Sequence, residues 1–292
     1  MRYAVANAPL RDRTVSLWRY GCDMSKERYL IAQYDFLPMT LNPKAVQKVS
    51  NSLFLVLILL EVFLALLYLA DIFVNGKAYQ LFDMDGLITI PSLLQALQLY
   101  IIGLISLGLF IVHNPETQRP SKLFLFTFAS LFIYASVDEL LEIHQQLPNL
   151  LHTPYNYEWM LIYISIGLIT LLGFYRDFIA LWDFHRRSLL LMAVGIVLIV
   201  IGGLGTEIFK YELLQPLLGQ IFQQGELVAI LVEKLRVAVE EFLEMLGESI
   251  TIYGICLYVT KRLEEEPSSA IAPSPQPEAI APSSLPEAIA KN

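Results

Sequence analysis

The chain has few charged residues and very little cysteine. Only 16% of its 292 residues are charged, whereas a soluble domain has about 25%. Its two cysteines, Cys22 and Cys256, lie in no CxxC or CxxH context, which argues against a disulfide framework and a thiolate metal site. The net charge of −8 argues against nucleic-acid binding, because nucleic-acid-binding proteins carry a basic footprint. The first fifty residues also lack the short apolar stretch of a secretory signal.

Apolar residues are abundant and collect in long segments. The chain is 55% hydrophobic, and its mean hydropathy is +0.54. A helix needs about 20 apolar residues to cross a hydrocarbon core of about 30 Å. The segments are continuous rather than alternating, which excludes a membrane β-barrel. We therefore expect an all-α polytopic membrane protein, a bundle of six transmembrane helices over residues 52–74, 92–113, 122–146, 158–182, 188–209 and 228–260.

Lys and Arg are distributed unevenly between the two sides of such a bundle. With six crossings, sixteen of the twenty fall on the side of the two termini. The positive-inside rule then places both termini in the cytoplasm. We expect a multi-pass protein of the inner (plasma) membrane or of an internal bacterial membrane, with the lipid bilayer as its first partner.

Two tails are expected to flank the six-helix domain, which we predict over residues 51–262. Residues 1–50 form a cytoplasmic tail with a short helix that starts at Asn42-Pro43 and leads into the membrane. Residues 263–292 are rich in Pro, Ser and Ala, which predicts a disordered tail. The tail is either merely solvated or a docking segment for a protein partner, since PEAIA occurs in it twice.

Acidic residues inside the apolar segments have no basic neighbours. There is no Lys or Arg between residues 123 and 175, or between residues 237 and 260. Ionisable residues at membrane depth are costly and by default indicate a functional site. Two stretches hold most of them, VDELLEIHQ in the third predicted helix and EEFLEMLGES in the sixth. The candidate metal ligands are Asp138, Glu139, Glu142, His144, Glu207, Glu240, Glu241, Glu244 and Glu248.

Helical rise places these acids at similar depths. At about 1.5 Å per residue, the third, fifth and sixth predicted helices bring carboxylates to one layer in the outer half of the membrane, and Glu248 comes closest to its centre. Arg236 has helical spacing to Glu233 and Glu240, and Lys234 lies on the face of Glu241. Glu61, in the first predicted helix, is a further candidate, for a hydrogen bond to a neighbouring helix.

Carboxylates crowded in this way must either take up protons or bind a cation. Carboxylates together with an imidazole suit iron, manganese or zinc. The chain lacks the Glu-x-x-His motif of helical di-metal sites, and on one regular helix Glu139, Glu142 and His144 would not converge. Pro148 is expected to loosen the helix end and turn His144 inward. Alternatively, the outer acids and His144 simply face headgroups and water.

The first acidic stretch resembles an Asp-Glu-x-x-x-Ile-His-Glu motif of uncharacterised bacterial multi-pass membrane proteins. Asp138, Glu139, Ile143 and His144 match that motif, and Gln145 replaces its final Glu. The second stretch resembles the Glu-Glu-x-x-Glu-x-x-Gly motif of the same proteins, and its matching residues are Glu240, Glu241, Glu244 and Gly247. The resemblance implies that the two motifs act together, but it implies no activity.

Three hypotheses follow for the function. The first is a divalent-metal site near the outer face between the third, fifth and sixth predicted helices, with enzyme activity as its extension. The second is a proton- or cation-coupled transporter or channel, in which Glu248 is the inner step of an acidic path. The third is a membrane scaffold or assembly factor that contacts partners through its tails.

Overall fold

The apolar segments form helices throughout the part of the chain that the structure describes. The structure is a computed structural model that describes residues 42–113, 120–151, 158–214, 216 and 226–269. Secondary structure within those residues is helical, without a strand, which confirms the expected all-α class. Residues 1–41 and 270–292 lie outside the described residues, and so do most of the predictions for the two tails.

Eight α-helices and three short turns make up this part of the chain. The helices are α1 (Pro43–Asn75), α2 (Ile90–Ile111), α3 (Lys122–Leu141), α4 (Ile143–Leu151), α5 (Glu158–Gly173), α6 (Tyr175–Val200), α7 (Thr206–Phe209) and α8 (Glu226–Ser269). A 3₁₀ turn lies at Gln80–Phe82, and π-helical turns lie on either side of α7 at Ile201–Gly205 and Lys210–Leu214. The third, fifth and sixth predicted helices correspond to α3, α6 and α8.

Within the part of the chain that the structure describes, five helical stretches are long and apolar enough to cross a membrane. They are Pro43–Asn75, Ile90–Ile111, Lys122–Leu141, Tyr175–Leu214 and Val228–Glu265. The shorter helix Trp159–Gly173 is also apolar. Their length and composition indicate a membrane-embedded protein.

Local sequence explains where the first three helices begin. The helix that starts at Pro43 confirms the start predicted from Asn42-Pro43, where proline lacks the N–H that a first turn leaves unpaired. Thr89 and Ser92 form a capping box before α2. The Ser121 side chain accepts a hydrogen bond from the Phe124 backbone N–H and caps α3.

Several helix ends differ from the predicted boundaries. The fourth predicted helix, residues 158–182, breaks after Gly173, and the predicted gap at residues 183–187 lies inside α6. Instead of running regularly to residue 146, α3 ends at Leu141, because Glu142 adopts the left-handed conformation with φ 47° and ψ 45°. At the other end of the chain, α8 continues to Ser269, past the predicted start of the disordered tail. The charged residues of its last turns, among them Lys261, Glu264 and Glu265, pair at helical spacing and stabilise this extension.

Helix α8 is the centre of the bundle. It packs against α6, α1 and α2, while α3 packs mainly against α2. Close approach of α6 and α8 depends on glycine, because a Cβ on Gly254 would lie 2.9 Å from Met192. Apart from Asn42, all described residues belong to one compact unit, Pro43–Asn292.

The core of the bundle is divided into layers along the helices. Tyr68, Met84, Val237 and Met245 belong to the layer near the start of α8. A second apolar layer, with Leu57, Ile102, Met192, Ile252 and Ile255, lies further along α8. A third, with Leu109, Phe124 and Tyr258, lies beyond it. The buried acids Glu61 and Glu248 lie between the first and second layers along their helices.

Candidate cation site

The left-handed residue Glu142 turns the chain back on itself after α3. On one continuous helix His144 would point away from Asp138, six residues earlier. Because the helix breaks at Glu142, the His144 backbone N–H donates to Asp138 Oδ1 at 2.8 Å and its Nδ1 lies 3.2 Å from Asp138 Oδ2. The expectation that Asp138 and Glu142 continue one helical stripe is therefore wrong, and the break occurs at Glu142 rather than at Pro148.

Asp138 is the centre of a small polar group outside the main acidic layer. It is 6% exposed and accepts a hydrogen bond from the Tyr163 hydroxyl at 2.8 Å. The Tyr163 hydroxyl is in turn 3.2 Å from that of Tyr134. The His144 ring packs against Trp159, with ring centroids 5.0 Å apart. The sequence does not predict the part of Tyr163 and Trp159 in this group, because their approach to residue 138 needs a tertiary contact with α5.

The protonation of His144 is set by this group. Burial lowers the pKa of the ring, but the hydrogen bond to Asp138 and the charges of Asp138, Glu139 and Glu142 outweigh burial and raise the pKa above its usual value. When the ring is neutral, a proton on Nδ1 pairs with Asp138 and leaves Nε2 as the basic nitrogen. Such carboxylate–histidine pairs commonly orient an imidazole toward a metal.

Glu139 belongs to a second group, which we call the acidic cluster: Glu139, Glu241, Glu244 and Glu248. The Glu139 carboxylate on α3 lies close enough to interact electrostatically with the other three carboxylates, all on α8. Glu139, Glu241 and Glu244 are half-buried, whereas Glu248 is 1% exposed. Glu139 thus relates the two acidic stretches electrostatically, although α3 and α8 are not among the closely packed pairs of helices.

No basic residue that the structure describes forms an ion pair with the acidic cluster. None of the ion pairs found among the described residues includes Glu139, Glu241, Glu244 or Glu248. In place of a basic residue, the side-chain amide of Gln95 contacts the cluster, and its Nε2 donates a hydrogen bond to Glu244 Oε2 at 3.3 Å. Glu248 Oε2 and Gln95 Oε1 are buried without a hydrogen-bond partner. The cluster therefore combines concentrated negative charge with open acceptor atoms.

Basic residues do neutralise the acids nearer the start of α8. As predicted, Arg236 pairs with Glu233, at 2.9 Å, and with Glu240. Glu240 also accepts a hydrogen bond from Thr206 at 2.6 Å. Lys234, expected on the face of Glu241, lies 3.5 Å from Asp85 instead.

Glu207 is also neutralised, by a lysine three residues further along the chain. Its Oε1 lies 3.1 Å from Lys210 Nζ. Glu207 lies in α7, and Lys210 begins the π-helical turn that follows. Glu207 and Glu240 are thus bound to basic residues, and they contribute less open negative charge than the acidic cluster does.

A glycine pair on the π-helical turn makes room for Glu244. A Cβ on Gly202 would lie 2.7 Å from Glu244 Cγ, and a Cβ on Gly203 would lie 2.8 Å from its Oε1. The π-helical turn supplies these glycines at the face that meets α8, and single π turns often occur at functional sites. The sequence does not connect these glycines to residue 244, because the contact depends on how the π-helical turn packs against α8.

The predicted nine ligands do not form one ready-made metal site. Among the described residues, no three His, Cys, Asp or Glu side chains lie together closely enough to hold a metal ion. The nine divide into the Asp138–His144 pair, the acidic cluster, and the paired Glu207 and Glu240, while Glu142 occupies the helix break. Of these groups, the acidic cluster is the one that combines concentrated negative charge with a buried acceptor atom that has no hydrogen-bond partner.

Comparison with known families places the chain in a group defined by sequence alone. Residues 48–260 match the model of a domain of unknown function, DUF8692. The chain belongs to the DUF8692 family. The match spans the helical bundle from early α1 to Thr260 in α8, including both acidic stretches. Neither the curated proteins nor the solved structures include a match to the chain.

Proposed function

We propose that this DUF8692 protein is a membrane protein that binds a divalent metal ion at its acidic cluster. The single observation that carries the proposal is that Glu139 interacts electrostatically with Glu241 and Glu244, while no ion pair among the described residues includes any of the three. Ionised carboxylates repel one another in a medium of low polarity, and a divalent cation removes that repulsion. Iron, manganese or zinc are the candidate ions because His144 lies near Glu139 and adds an imidazole to the carboxylates.

The ion would be held by Glu139, Glu241 and Glu244, with Glu248 beneath them. Asp138 would orient His144 toward the same ion. Since no three of these side chains already lie at ligand distance, ion binding would draw the α3 and α8 side chains together. As an extension of the proposal, the bound metal would supply Lewis acid or redox chemistry to a membrane enzyme.

Our proposed topology has six membrane spans, with both termini in the cytoplasm. In its support, His185 has non-helical φ −153° and ψ 84° within α6, inside the interval 183–187 that separates the fourth and fifth predicted helices. Two arginines, Arg186 and Arg187, follow that point directly. The uneven distribution of Lys and Arg supports the orientation. The inner (plasma) membrane of a bacterium, or an internal bacterial membrane, is the location proposed.

Metal binding can be tested on protein purified in detergent. After chelation, Mn²⁺ should bind to the wild-type protein, as measured by electron paramagnetic resonance of the free ion. Glu241→Gln and Glu244→Gln should weaken binding by about tenfold or more, since each removes a charged ligand. Glu212→Gln, an exposed residue beyond the cluster, is the matched control. Equal Mn²⁺ binding by all four proteins, or no binding by any, would refute the proposal.

A second candidate, proton- or cation-coupled transport, is favoured by the depth of Glu248. Its buried, unpartnered Oε2 extends the acidic cluster inward along α8. Beyond it the apolar layer of Leu57, Ile102 and Ile252 closes the bundle, so transport would require this layer to open. Cation or proton flux into liposomes should stop in Glu248→Gln if the protein is a transporter. Flux that is unchanged by Glu248→Gln would exclude this candidate.

A further inference from the structure

A separate polar site lies between α1, α2 and α8, and we call it the inner site: Glu61, Gln98 and Ser249. Glu61 is 0% exposed. Its Oε1 accepts from Ser249 Oγ at 2.6 Å and from Gln98 Nε2 at 2.9 Å. Gln98 Nε2 also lies 2.8 Å from Ser249 Oγ and 3.4 Å from the Met245 carbonyl oxygen. The predicted hydrogen bond from Glu61 to a neighbouring helix is confirmed, and the site is more complete than expected.

The inner site has two acceptor atoms without donors. Both donors go to Glu61 Oε1, whereas Glu61 Oε2 and Gln98 Oε1 are buried without a hydrogen-bond partner. Buried acceptors in proteins are nearly always satisfied, so an unpartnered pair points to an occupant. No ion pair of the described part of the chain includes Glu61. An occupant that brings positive charge would balance the Glu61 carboxylate and would contact both open acceptor atoms.

The surroundings determine from which side an ion would arrive. Leu57, Ile102 and Ile252 lie one helical turn from Glu61, Gln98 and Ser249 and form an apolar floor. On the other side, Glu248 lies close enough to interact electrostatically with Glu61. The acidic cluster beyond Glu248 would raise the local concentration of cations. The inner site is thus the closed end of a polar region that starts at the half-buried carboxylates.

We infer that the inner site binds one monovalent alkali cation, between Glu61 Oε2 and Gln98 Oε1. One carboxylate among neutral amide, hydroxyl and carbonyl oxygens balances a single positive charge. Hard cations prefer oxygen ligands, and a divalent ion favours a site with more carboxylates. The acidic cluster offers several carboxylates, so the two sites have different preferences. This inference stands apart from the metal site proposed above.

Sodium is the probe for this inference. Binding of ²²Na⁺ to the full-length protein in detergent should approach one ion per chain and should be unaffected by choline chloride. Glu61→Gln should abolish binding. Ser249→Ala keeps the carboxylate but removes a neutral contact, and it should weaken binding by about tenfold. Glu212→Gln should bind as wild type does.

The outcomes separate this inference from the metal proposal. Glu61→Gln should lose Na⁺ but keep Mn²⁺, and Glu244→Gln should lose Mn²⁺ but keep Na⁺. If Glu61→Gln does not fold, as judged by its thermal unfolding, Ser249→Ala and Gln98→Met are compared with wild type instead. No Na⁺ binding by wild type, or binding that Glu61→Gln, Ser249→Ala and Gln98→Met leave unchanged, overturns the inference. Proton uptake by Glu61 without any Na⁺ binding overturns it as well.

Discussion

Replacing Glu142 by glycine should stabilise the protein, because this residue holds a left-handed conformation. Its φ of 47° and ψ of 45° bring the Cβ close to the following carbonyl oxygen. For a residue with a side chain this conformation costs about 1–2 kcal/mol. Glycine removes that cost but gains backbone freedom in the unfolded state, which offsets about 0.5–1 kcal/mol. Glu142→Gly should therefore raise the free energy of unfolding by about 0.5–1 kcal/mol.

Two further variants separate the backbone effect from the loss of the carboxylate. Glu142→Ala removes the charge but keeps a Cβ, so it should not show the gain of the glycine variant. Glu264→Gly places glycine at an exposed position of the regular helix α8 and should lower the free energy of unfolding by about 1 kcal/mol. Equilibrium unfolding of the detergent-solubilised protein measures all three differences.

Destabilisation by Glu142→Gly would contradict the helix break on which the Asp138–His144 contact depends. If Glu142→Gly destabilises the protein as much as Glu264→Gly does, then residue 142 lies in a continuous helix. His144 would then point away from Asp138, and its Nδ1 could not reach the carboxylate. The ¹⁵N chemical shifts of His144 provide a second measurement, because they show which ring nitrogen carries the proton.

Three further predictions concern packing, charge and pH. Gly202→Ala should displace Glu244 and weaken Mn²⁺ binding, whereas Gly108→Ala, which has nothing within 4 Å of an added Cβ, should leave Mn²⁺ binding as in wild type. Arg236→Met should lower the free energy of unfolding by about 3–5 kcal/mol, because it leaves the buried charge of Glu240 unpaired. Lys261→Met, which breaks an exposed ion pair, should lower it by less than about 1 kcal/mol. Equal losses for the two variants in denaturant titrations would contradict this difference. The pKa of His113 is lowered by burial and by the charges of Arg262 and Lys122. The folded protein therefore binds this proton less tightly than the unfolded chain does, and the free energy of unfolding should fall as pH drops below about 6.5. His144 affects stability in the opposite sense, because its pKa is raised in the folded protein and the resulting stability is lost as pH rises through the raised value. Thermal unfolding temperatures of His113→Gln and His144→Gln, each compared with wild type, should therefore change with pH in opposite directions.

Much of the helical architecture was predictable because it depends on local properties of the chain. Continuous hydropathy predicted membrane-length helices, and Asn42-Pro43 predicted the start of α1. Helical spacing predicted the pairs of Arg236 with Glu233 and Glu240. Both of these pairs join residues about one helical turn apart, so the helix itself sets the distance between their side chains.

The contacts between helices were not predictable in the same way. Lys234 lies on the face of Glu241 along α8, yet it pairs with Asp85 because the loop before α2 approaches that point. Gln95 and Gln98 lie in an apolar segment that gave no sign of their contacts, yet Gln95 donates to Glu244 on α8 and Gln98 donates to Glu61 on α1. The break at Glu142 was missed because nothing in its residue type favours the left-handed conformation.

The sequence alone thus determined that this is a helical membrane protein with acids in its apolar segments, since hydropathy and charge are properties of each segment by itself. Only the tertiary structure decided which acids share a site. Side chains on different helices meet according to how the helices cross and where they break. A packed neighbour or a strained backbone residue can therefore bring Glu139 to Glu244, Asp138 to His144 and Glu61 to Ser249, although no spacing along the chain relates the members of these pairs.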